Sequence, residues 1–445
     1  MNTTVPNSEN SEGSSEKWNQ DSSFSLPNSH FSPHPPGLVP KVRFPEFRGA
    51  AGWENAILGD LSEVVRGGSP RPIDGFLTTS ANGLNWLKIG DVDKEAKYVT
   101  HTAEKVRPEA LSKTRVVNPG DLILSNSMSF GRPFILQIKT CIHDGWIAIT
   151  DIAKKADRDF LYYSISAPSS QSYFVDNAAG SGVQNLNADI IKALPVCFPP
   201  PAEQQKIAEC LSSVDELLAA QARKVDALKT YKKGLMQQLF PREGETQPRL
   251  RFPEFQNAGE WSKMTLGQAA AFYNGRAYKQ EELLESGKYP VLRVGNFFTN
   301  NIWYHSDLEL DETKYCENGD LLYAWSASFG PRVWHGKKSI YHYHIWKVVE
   351  QRGIDKQFLF ITLENETENM KAKTTNGLGI MHITKGAIES WETSFPTITE
   401  QEKIADCLRR LDYAITGEIK KLDVLKIHKK SLMQQLFLSP DAIQS

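Results

Sequence analysis

The sequence predicts an α+β protein in which two tandem mixed α/β domains stand in a pseudo-two-fold arrangement, separated by two long helices that form an antiparallel coiled coil. Three observations predict this fold class. An internal repeat covers most of the chain, a heptad stripe of apolar residues closes each copy, and short β-type runs alternate with turns before each stripe. With 445 residues, the chain is long enough to bury two or more cores of ordinary domain size.

The internal repeat is visible in four pairs of segments. The matched segments are 40–47 with 248–255, 118–123 with 317–322, 203–208 with 400–405, and 235–240 with 432–437. The offset falls from 208 to 199 and then to 197 residues, so insertions and deletions lie in the middle of each copy. Repeats of roughly 200 residues are too long for solenoid units, and each copy is therefore a domain in itself.

Each copy ends in a predicted long helix. Apolar residues recur with 4,3 spacing from Ile207 to Leu239 and again from Ile404 to Leu436. A stripe this narrow needs a partner helix along its whole length, and the other copy supplies one in antiparallel orientation. Packing of each helix on its own domain is the alternative. The polar positions that interrupt the two stripes coincide: Gln221 and Lys232 in the first copy, Glu418 and Lys429 in the second.

The domain boundaries follow from these segments. The tail 1–39 is rich in Ser, Asn, Pro and Glu and is expected to be disordered, as a solvated extension or as a docking arm. The remaining segments are a first domain over 40–201, a first helix over 202–241, a second domain over 242–396, a second helix over 397–438 and a C-terminal tail over 439–445.

Within the first domain, β-type runs are predicted at 85–91, 121–125 and 134–138, and a helix is predicted at 158–165. Two Gly-containing loops, 67–72 and 274–276, leave an arginine exposed. This composition suits phosphate or base contact, but it equally suits a plain turn.

Several classes of protein are excluded by what the sequence lacks. No stretch approaches 18 consecutive apolar residues and the first ten residues do not resemble a secretory signal, so we expect a cytoplasmic protein without a membrane partner. The five cysteines are scattered, without the spacing of a zinc site or a disulfide framework. The motifs GxxxxGK[ST], HExxH and GxSxG are missing. We therefore expect a non-catalytic chain that binds no cofactor or metal of its own.

The charges are evenly balanced. The whole chain carries a formal net charge of −2, with +1 over residues 41–195 and −1 over residues 249–395. Neither domain is strongly basic, so binding to a nucleic acid would depend on local placement of cations and on partner proteins for much of the phosphate neutralisation.

The motifs as a set resemble the type I restriction-modification DNA specificity subunit. In the first copy the resemblance rests on Trp86-Leu87-Lys88-Ile89-Gly90-Asp91, on Pro119 to Ser125, on Phe130-Gly131-Arg132, and on Leu194-Pro195 leading into the helix that opens with Glu203 to Ala208. The second copy repeats the pattern at Pro290 to Asn296, Asn318 to Leu322, Phe395-Pro396 and from Glu400. The resemblance extends from about Lys41 to Phe437.

This resemblance implies a function and a set of partners. Each domain would be a target recognition domain, and the two helices would form an antiparallel coiled-coil spacer. The chain would bind double-stranded DNA and assemble with two methyltransferase subunits and two motor-nuclease subunits. S-adenosylmethionine, ATP and Mg²⁺ would belong to those partners. The chain would then direct adenine methylation and ATP-dependent cleavage at a bipartite, asymmetric site.

The candidate DNA-binding residues are polar and basic side chains in the variable loops. Arginine can read guanine edges and asparagine can read adenine, but the same side chains also bind phosphate or solvate a surface. The candidates are Arg66, Ser69, Arg71, Lys88, Ser127 and Arg132 in the first domain, and Asn274, Arg276, Tyr278, Lys279, Arg293, Ser328 and Arg332 in the second. The alternative function is a non-catalytic, two-headed coiled-coil scaffold that binds protein instead of DNA.

Overall fold

The computed structural model describes residues 38–93, 95–126, 131–178, 186–242, 244–298, 300–326, 330–374 and 383–438. The chain divides into two compact units, residues 1–208 with 433–445 and residues 209–432. Each of the two long helices lies partly in both units. The first is α5 (Pro201–Leu239) and the second is α10 (Ile398–Leu436), each of 39 residues. Their positions agree with the helices predicted at 202–241 and 397–438 to within two residues at each end.

The first unit contains eleven strands and four short helices among its described residues. The strands are β1 (Glu54–Ile57), β2 (Glu63–Arg66), β3 (Leu84–Leu87), β4 (Tyr98–Val99), β5 (Glu104–Val106), β6 (Arg115–Val117), β7 (Leu122–Ser125), β8 (Pro133–Leu136), β9 (Thr140–Ile142), β10 (Trp146–Thr150) and β11 (Pro195–Phe198). The helices are α1 (Leu58–Leu61), α2 (Arg158–Ser166), α3 (Pro168–Asn177) and α4 (Ala188–Lys192).

The second unit repeats most of these elements. Its strands are β12 (Ser262–Thr265), β13 (Ala270–Asn274), β14 (Tyr289–Leu292), β15 (Tyr304–Ser306), β16 (Tyr315–Cys316), β17 (Leu321–Ala324), β18 (Gly330–Val333), β19 (Ser339–Tyr341), β20 (Ile345–Glu350) and β21 (Glu392–Phe395). Its short helices are α6 (Leu266–Ala269), α7 (Val294–Phe298), α8 (Lys356–Thr374) and α9 (Lys385–Glu389).

The strand orders confirm that the two units share one topology. The first unit holds sheets ordered β2-β10-β7-β8-β4 and β5-β3-β9-β6, and the second holds β13-β20-β17-β18 and β15-β14-β19-β16. The first sheet of the first unit has one extra strand, β4, which pairs in parallel with β8. Each unit also contains a two-stranded antiparallel sheet, which is β1-β11 in the first unit and β12-β21 in the second.

Two predicted strands were too long. The run 134–138 forms a strand only as far as Leu136. The run 85–91 forms a strand only as far as Leu87, and residues Ile89–Asp91 form a 3₁₀ turn instead. The Asp91 carboxylate accepts a hydrogen bond from the Lys88 N–H at 2.9 Å, which stabilises this turn. The strand therefore ends at the residue before Lys88.

The repeated Glu-Gln pair at the start of each long helix anchors the helix to its unit. The Glu203 carboxylate receives two hydrogen bonds from Arg43, at 2.8 and 2.6 Å. The equivalent Glu400 receives two from Arg251, both at 2.7 Å, and its side chain is only 1% exposed. Gln204 donates to the carbonyls of residues 155 and 199 at 2.8 and 2.7 Å. These bonds satisfy polar groups that would otherwise be buried without partners.

The Leu-Met-Gln-Gln-Leu-Phe segment that ends each long helix packs against an aromatic core. In the first unit, the Phe437 ring lies 5.5 Å from the ring of Phe160, centroid to centroid. In the second unit, the Phe240 ring stacks on Phe358 at 5.4 Å and also contacts Trp261. Each core therefore contains the start of one long helix and the end of the other.

Within the second unit, polar contacts join α5 to α10. The Gln221 side-chain amide donates to the main-chain carbonyl and to the carboxylate of Glu418, both at 2.8 Å. Two equivalent ion pairs flank this contact. They are Lys232 with Asp412 at 2.6 Å and Lys429 with Asp215 at 2.5 Å. Residues further along α5 contact residues nearer the start of α10. The two helices therefore run antiparallel. The four polar positions that interrupt the stripes are the ones that make these contacts.

Candidate nucleic-acid interface

Four of the first-domain candidates surround one turn, which connects β9 to β10. The turn His143–Trp146 is closed by a hydrogen bond from the Trp146 N–H to the His143 carbonyl at 3.0 Å. The loop after β2 lies against it, since the Gly67 N–H donates to the Trp146 carbonyl at 2.9 Å. A Cβ on Gly67 would lie 2.1 Å from the His143 carbonyl oxygen, so only glycine allows this approach.

Asp144, at the tip of this turn, binds three of the candidates. Its main-chain carbonyl accepts from Arg66 Nε at 2.9 Å, and its carboxylate accepts from Ser69 Oγ at 2.6 Å and pairs with Arg71 at 3.2 Å. The hydrogen bond from Ser69 lowers the pKa of Asp144, so the carboxylate is ionised at neutral pH. The Arg71 side chain remains 80% exposed. We call Arg66, Ser69, Arg71, His143 and Asp144 the first turn site.

The second domain repeats the geometry of this turn. The Ile345 N–H donates to the His342 carbonyl at 2.9 Å, and the Gly275 N–H donates to the Ile345 carbonyl at 3.1 Å. A Cβ on Gly275 would lie 2.3 Å from the His342 carbonyl oxygen. The candidates beside this turn are Asn274, which ends β13, and Arg276, whose main-chain carbonyl accepts from the Tyr343 N–H at 3.0 Å.

The side chains on the two turns differ in chemistry. Asp144 and Gly145 of the first turn correspond to Tyr343 and His344 of the second, at the offset of 199. Beside them, the Asn126 amide donates to the Asp144 carbonyl at 2.9 Å. Trp325 takes the place of Asn126, and its indole N–H donates to the Tyr343 carbonyl at 2.8 Å. The same hydrogen bond thus holds both turns, through different side chains.

Aromatic and imidazole rings cover the second turn. The ring of Tyr343 lies 3.9 Å from that of His344 and 4.4 Å from that of His342, centroid to centroid, and Trp325 lies 4.9 Å from His344. Tyr343 is 39% exposed. We call Asn274, Arg276, Trp325 and His342–His344 the second turn site. The exposed Tyr343 ring can stack on a base, whereas the first turn site presents a carboxylate and an arginine.

The histidines of both turns are neutral at physiological pH. Burial lowers the pKa of His143, and it also lowers the pKa of His344. Burial, followed by the nearby His344 and Arg293, lowers the pKa of His342 to about 4. A neutral imidazole offers one donor and one acceptor, so these rings can form directional hydrogen bonds but supply no positive charge to a phosphate.

Lys88 and Arg293 occupy equivalent positions near the two turns. Lys88 directly follows β3, and Arg293 directly follows β14. Each of these strands pairs in parallel with the strand that leads into the turn, which is β9 in the first domain and β19 in the second. Lys88 forms an ion pair with Glu104 at 2.6 Å. The Arg293 guanidinium lies 4.3 Å from the centroid of the Tyr304 ring. The candidates selected from sequence thus include the same position in both domains.

The remaining second-domain candidates have partners of their own. Arg276 makes a bidentate ion pair with Glu282, at 3.0 and 2.7 Å. The Tyr278 hydroxyl donates to the Tyr341 carbonyl at 3.3 Å, and burial raises the pKa of Tyr278. Lys279 is 75% exposed and lies 3.9 Å from Glu281. Of these residues, Lys279 is the one whose charge is most open to a ligand.

Arg132 and Arg332 have a different environment. Arg132 lies over the Phe134 ring at 5.6 Å, and Arg332 lies over the Phe298 ring at 5.2 Å. No contact between either arginine and a turn site is observed in the described part of the chain. Ser127 and Ser328 lie outside the described residues.

Sequence reasoning missed the residues at the centre of both sites. These are Asn126, His143 and Asp144 in the first domain, and Trp325, His342, Tyr343 and His344 in the second. The internal repeat could have identified them, because the 199-residue offset aligns the two turns and shows a retained histidine beside side chains that differ. Strand pairing, which cannot be read from the sequence, was needed to place them beside the candidate loops.

The described residues contain neither a membrane-spanning helix nor a cluster of metal ligands. None of the described helices combines the length and the apolar character needed to cross a membrane. No group of three or more His, Cys, Asp or Glu side chains suited to a metal ion occurs in the described ranges.

Comparison with known proteins relates both copies to one family. The family described as the type I restriction modification DNA specificity domain matches residues 51–230 and 258–426. The type I restriction enzyme MjaVIII specificity subunit of Methanocaldococcus jannaschii is 22% identical over 406 residues, which are 86% of this chain and 92% of that protein. The putative MjaX specificity subunit of the same organism is 24% identical over 409 residues, again 86% of this chain and 92% of that protein.

Two solved structures share the fold. A chain from a type I R-M system, studied for complex assembly and conformational transition, matches with a TM-score of 0.58 at 16% identity, covering 88% of this chain and 98% of that one. The type I restriction-modification S subunit from M. genitalium matches with a TM-score of 0.51 at 16% identity, covering 90% of this chain and 100% of that one.

Proposed function

The chain belongs to the family of type I restriction modification DNA specificity domains, and from this premise we propose that it is a specificity subunit that reads a bipartite, asymmetric DNA site. The observation that carries the proposal is the match of the family to both copies, residues 51–230 and 258–426. Two recognition domains in one chain imply two half-sites. The relatives of similar length are named specificity subunits, which supports the same role here.

The asymmetry of the site follows from the two turn sites. Both domains hold their turn with the same main-chain hydrogen bonds and the same close glycine, Gly67 or Gly275. The exposed chemistry on the turns differs, with Asp144 in one and Tyr343 and His344 in the other. Carboxylates accept from the cytosine amino group, whereas aromatic rings stack on bases. Two domains that present such different groups would read different base sequences.

We further propose that α5 and α10 form a coiled-coil spacer that fixes the distance between the half-sites. Each helix has 39 residues, which corresponds to a length of about 58 Å at 1.5 Å per residue. The antiparallel contacts of Gln221 with Glu418 and of Lys232 with Asp412 fix the register between the helices. A spacer with a fixed register gives a gap of fixed length whose bases are spanned but not read.

The chemistry would reside on partner subunits. We propose that two methyltransferase subunits bind S-adenosylmethionine and methylate adenine, and that two motor-nuclease subunits use ATP and Mg²⁺ for cleavage. The near-neutral charge of the two domains, +1 over 41–195 and −1 over 249–395, means that these partners would supply much of the phosphate neutralisation. The chain itself would carry no catalytic group.

Salt-dependent DNA binding distinguishes this function from the scaffold alternative. The chain and its methyltransferase subunit, purified as a complex, are titrated with a duplex that carries the methylated motif of the host and with a scrambled duplex. Binding that favours the motif and weakens steeply as KCl rises supports the proposal, because phosphate contacts release counterions. A stable complex that binds neither duplex at any salt concentration would support the scaffold.

A further inference from the structure

The two domains differ at most positions of their turn sites, but both carry a cation at an equivalent position beside the turn. Lys88 and Arg293 both directly follow the strand that pairs with the strand leading into the turn. If the two domains read different sequences, a cation that recurs at an equivalent position in both suits a task that does not depend on the base sequence, in whichever domain its charge is available. The part of DNA that is identical at every site is the phosphate backbone.

The charge at this position is neutralised by a carboxylate in the first domain, whereas in the second domain it has no carboxylate partner among the described residues. Lys88 is 2.6 Å from the Glu104 carboxylate, which lies on the neighbouring strand opposite Trp86. In the second domain the residue opposite the equivalent strand position is Tyr304. A carboxylate partner has therefore been replaced by an aromatic ring, which holds the cation without cancelling its charge.

Arg293 lacks a hydrogen-bonding partner. Its guanidinium lies 4.3 Å from the Tyr304 ring centroid, and its Nε atom is buried without a hydrogen bond. Within the described ranges, no hydrogen bond or ion pair is made by its side-chain nitrogens. A guanidinium in this state gains two charge-assisted hydrogen bonds when an anion with paired oxygens approaches, and a phosphate group has that geometry.

We propose that Arg293 binds a phosphate of the DNA backbone beside the second half-site, and that Glu104 suppresses the equivalent contact by Lys88 in the first domain. The neighbouring His342 is half-buried and neutral, and the charge of Arg276 is offset by Glu282, so Arg293 supplies an unpaired positive charge beside the second turn site. The inference rests on the proposed function, because it assigns a backbone contact to one of the two recognition domains.

The test uses the complex of the full chain with its methyltransferase subunit and a duplex that carries the methylated motif. Its dissociation constant is measured over a series of KCl concentrations. Arg293→Ala is expected to weaken binding about tenfold at low salt. It should also reduce the slope of log K against log salt by about 0.9, the value for one lost phosphate contact. The methylated motif should not change.

Three further variants separate the role of charge from loss of folding. Tyr304→Glu restores the carboxylate found in the first domain and should reproduce the effect of Arg293→Ala. Tyr304→Phe keeps the ring and should leave both affinity and slope unchanged. Glu104→Gln frees Lys88 and should strengthen binding and steepen the slope by about 0.9.

An unchanged slope in both Arg293→Ala and Tyr304→Glu would overturn the phosphate contact. Relaxation of the motif at one base position in Arg293→Ala would also overturn it, because Arg293 would then read a base. If the unaltered complex binds no DNA, the proposed function fails first. If the complex binds its motif but ignores these substitutions, only the present inference fails.

Discussion

A heptad added to both long helices should widen the gap between the two half-sites. The insertion is placed between Gln221 and Ala222 in α5 and between Gly417 and Glu418 in α10. It duplicates residues 222–228 in the first helix and 411–417 in the second. The Gln221–Glu418 contact then stays on one side of the insertion and the Lys232–Asp412 ion pair stays on the other. A whole heptad keeps the apolar stripe on the same face of each helix.

The size of the effect follows from helix geometry. Seven residues lengthen a helix by about 10 Å at 1.5 Å per residue. Because base pairs are stacked about 3.4 Å apart along the duplex, the gap should grow by about three base pairs. Both half-sites should stay as they were, since neither domain is altered.

The assay is a map of methylated adenines in a host that carries the lengthened chain with its methyltransferase subunit. A matched control carries the heptad in α5 alone, which leaves seven residues without a partner in α10 and should abolish methylation. Methylation of the original motif with its original gap, by a chain shown to contain both insertions, would refute the spacer.

The remaining predictions concern the anchors of the fold. Arg251→Ala leaves the buried Glu400 carboxylate unpaired, which should cost about 3 kcal/mol and lower the melting temperature by about 6–12 °C in calorimetry; an unchanged melting temperature would contradict the anchor. Gly275→Ala places a Cβ 2.3 Å from the carbonyl oxygen of His342 and should weaken DNA binding, whereas the control Gly386→Ala, where nothing lies within 4 Å, should not; equal affinities would show that the turn does not contact DNA. Hydrogen bonds, first from Gln221, lower the pKa of Glu418 to about 2. The stabilising contribution of Glu418 is therefore present above the ordinary pKa of 4.5 and is lost as pH falls towards 2. The melting temperature of Glu418→Gln, followed by circular dichroism, should depend less on pH in that range than that of the unaltered chain; identical pH profiles would count against the contact.

The long helices could be predicted from sequence because their signal is local and repeated. The apolar stripe gave their positions to within two residues at each end. The polar residues that interrupt the stripe indicate how the two helices pair. Gln221 bonds Glu418, and Lys232 and Lys429 pair with equivalent aspartates, so the breaks in the apolar pattern are the contacts that fix the register.

The turn sites could be predicted only in part. The loop cations and polar residues were selected by composition, and four in the first domain and three in the second lie at or beside a turn. Their partners could not be found in the same way, because Asp144 is 75 residues from Ser69 in the chain and meets it only through the order of the strands. The neutralisation of Lys88 by Glu104 depends on strand pairing for the same reason.

The predicted strands at 85–91 and 134–138 both extend beyond the observed ones, and the first differs more. The apolar residues Trp86, Leu87 and Ile89 favour a strand over the run 85–91. The Asp91 carboxylate instead accepts a hydrogen bond from the Lys88 N–H, and the backbone turns after Leu87. A short acidic side chain can compete with the sheet for main-chain donors. This effect is local, and a pattern of hydrophobicity does not reveal it.

We propose that this chain determines which DNA sequence is modified. A map of methylated adenines in two otherwise identical hosts that carry the methyltransferase subunit, one with this chain and one without it, tests this role. If the chain has this role, a bipartite, asymmetric motif is methylated only in the host that carries it. The same methylation pattern in both hosts, from a complex shown to contain the chain, would contradict it.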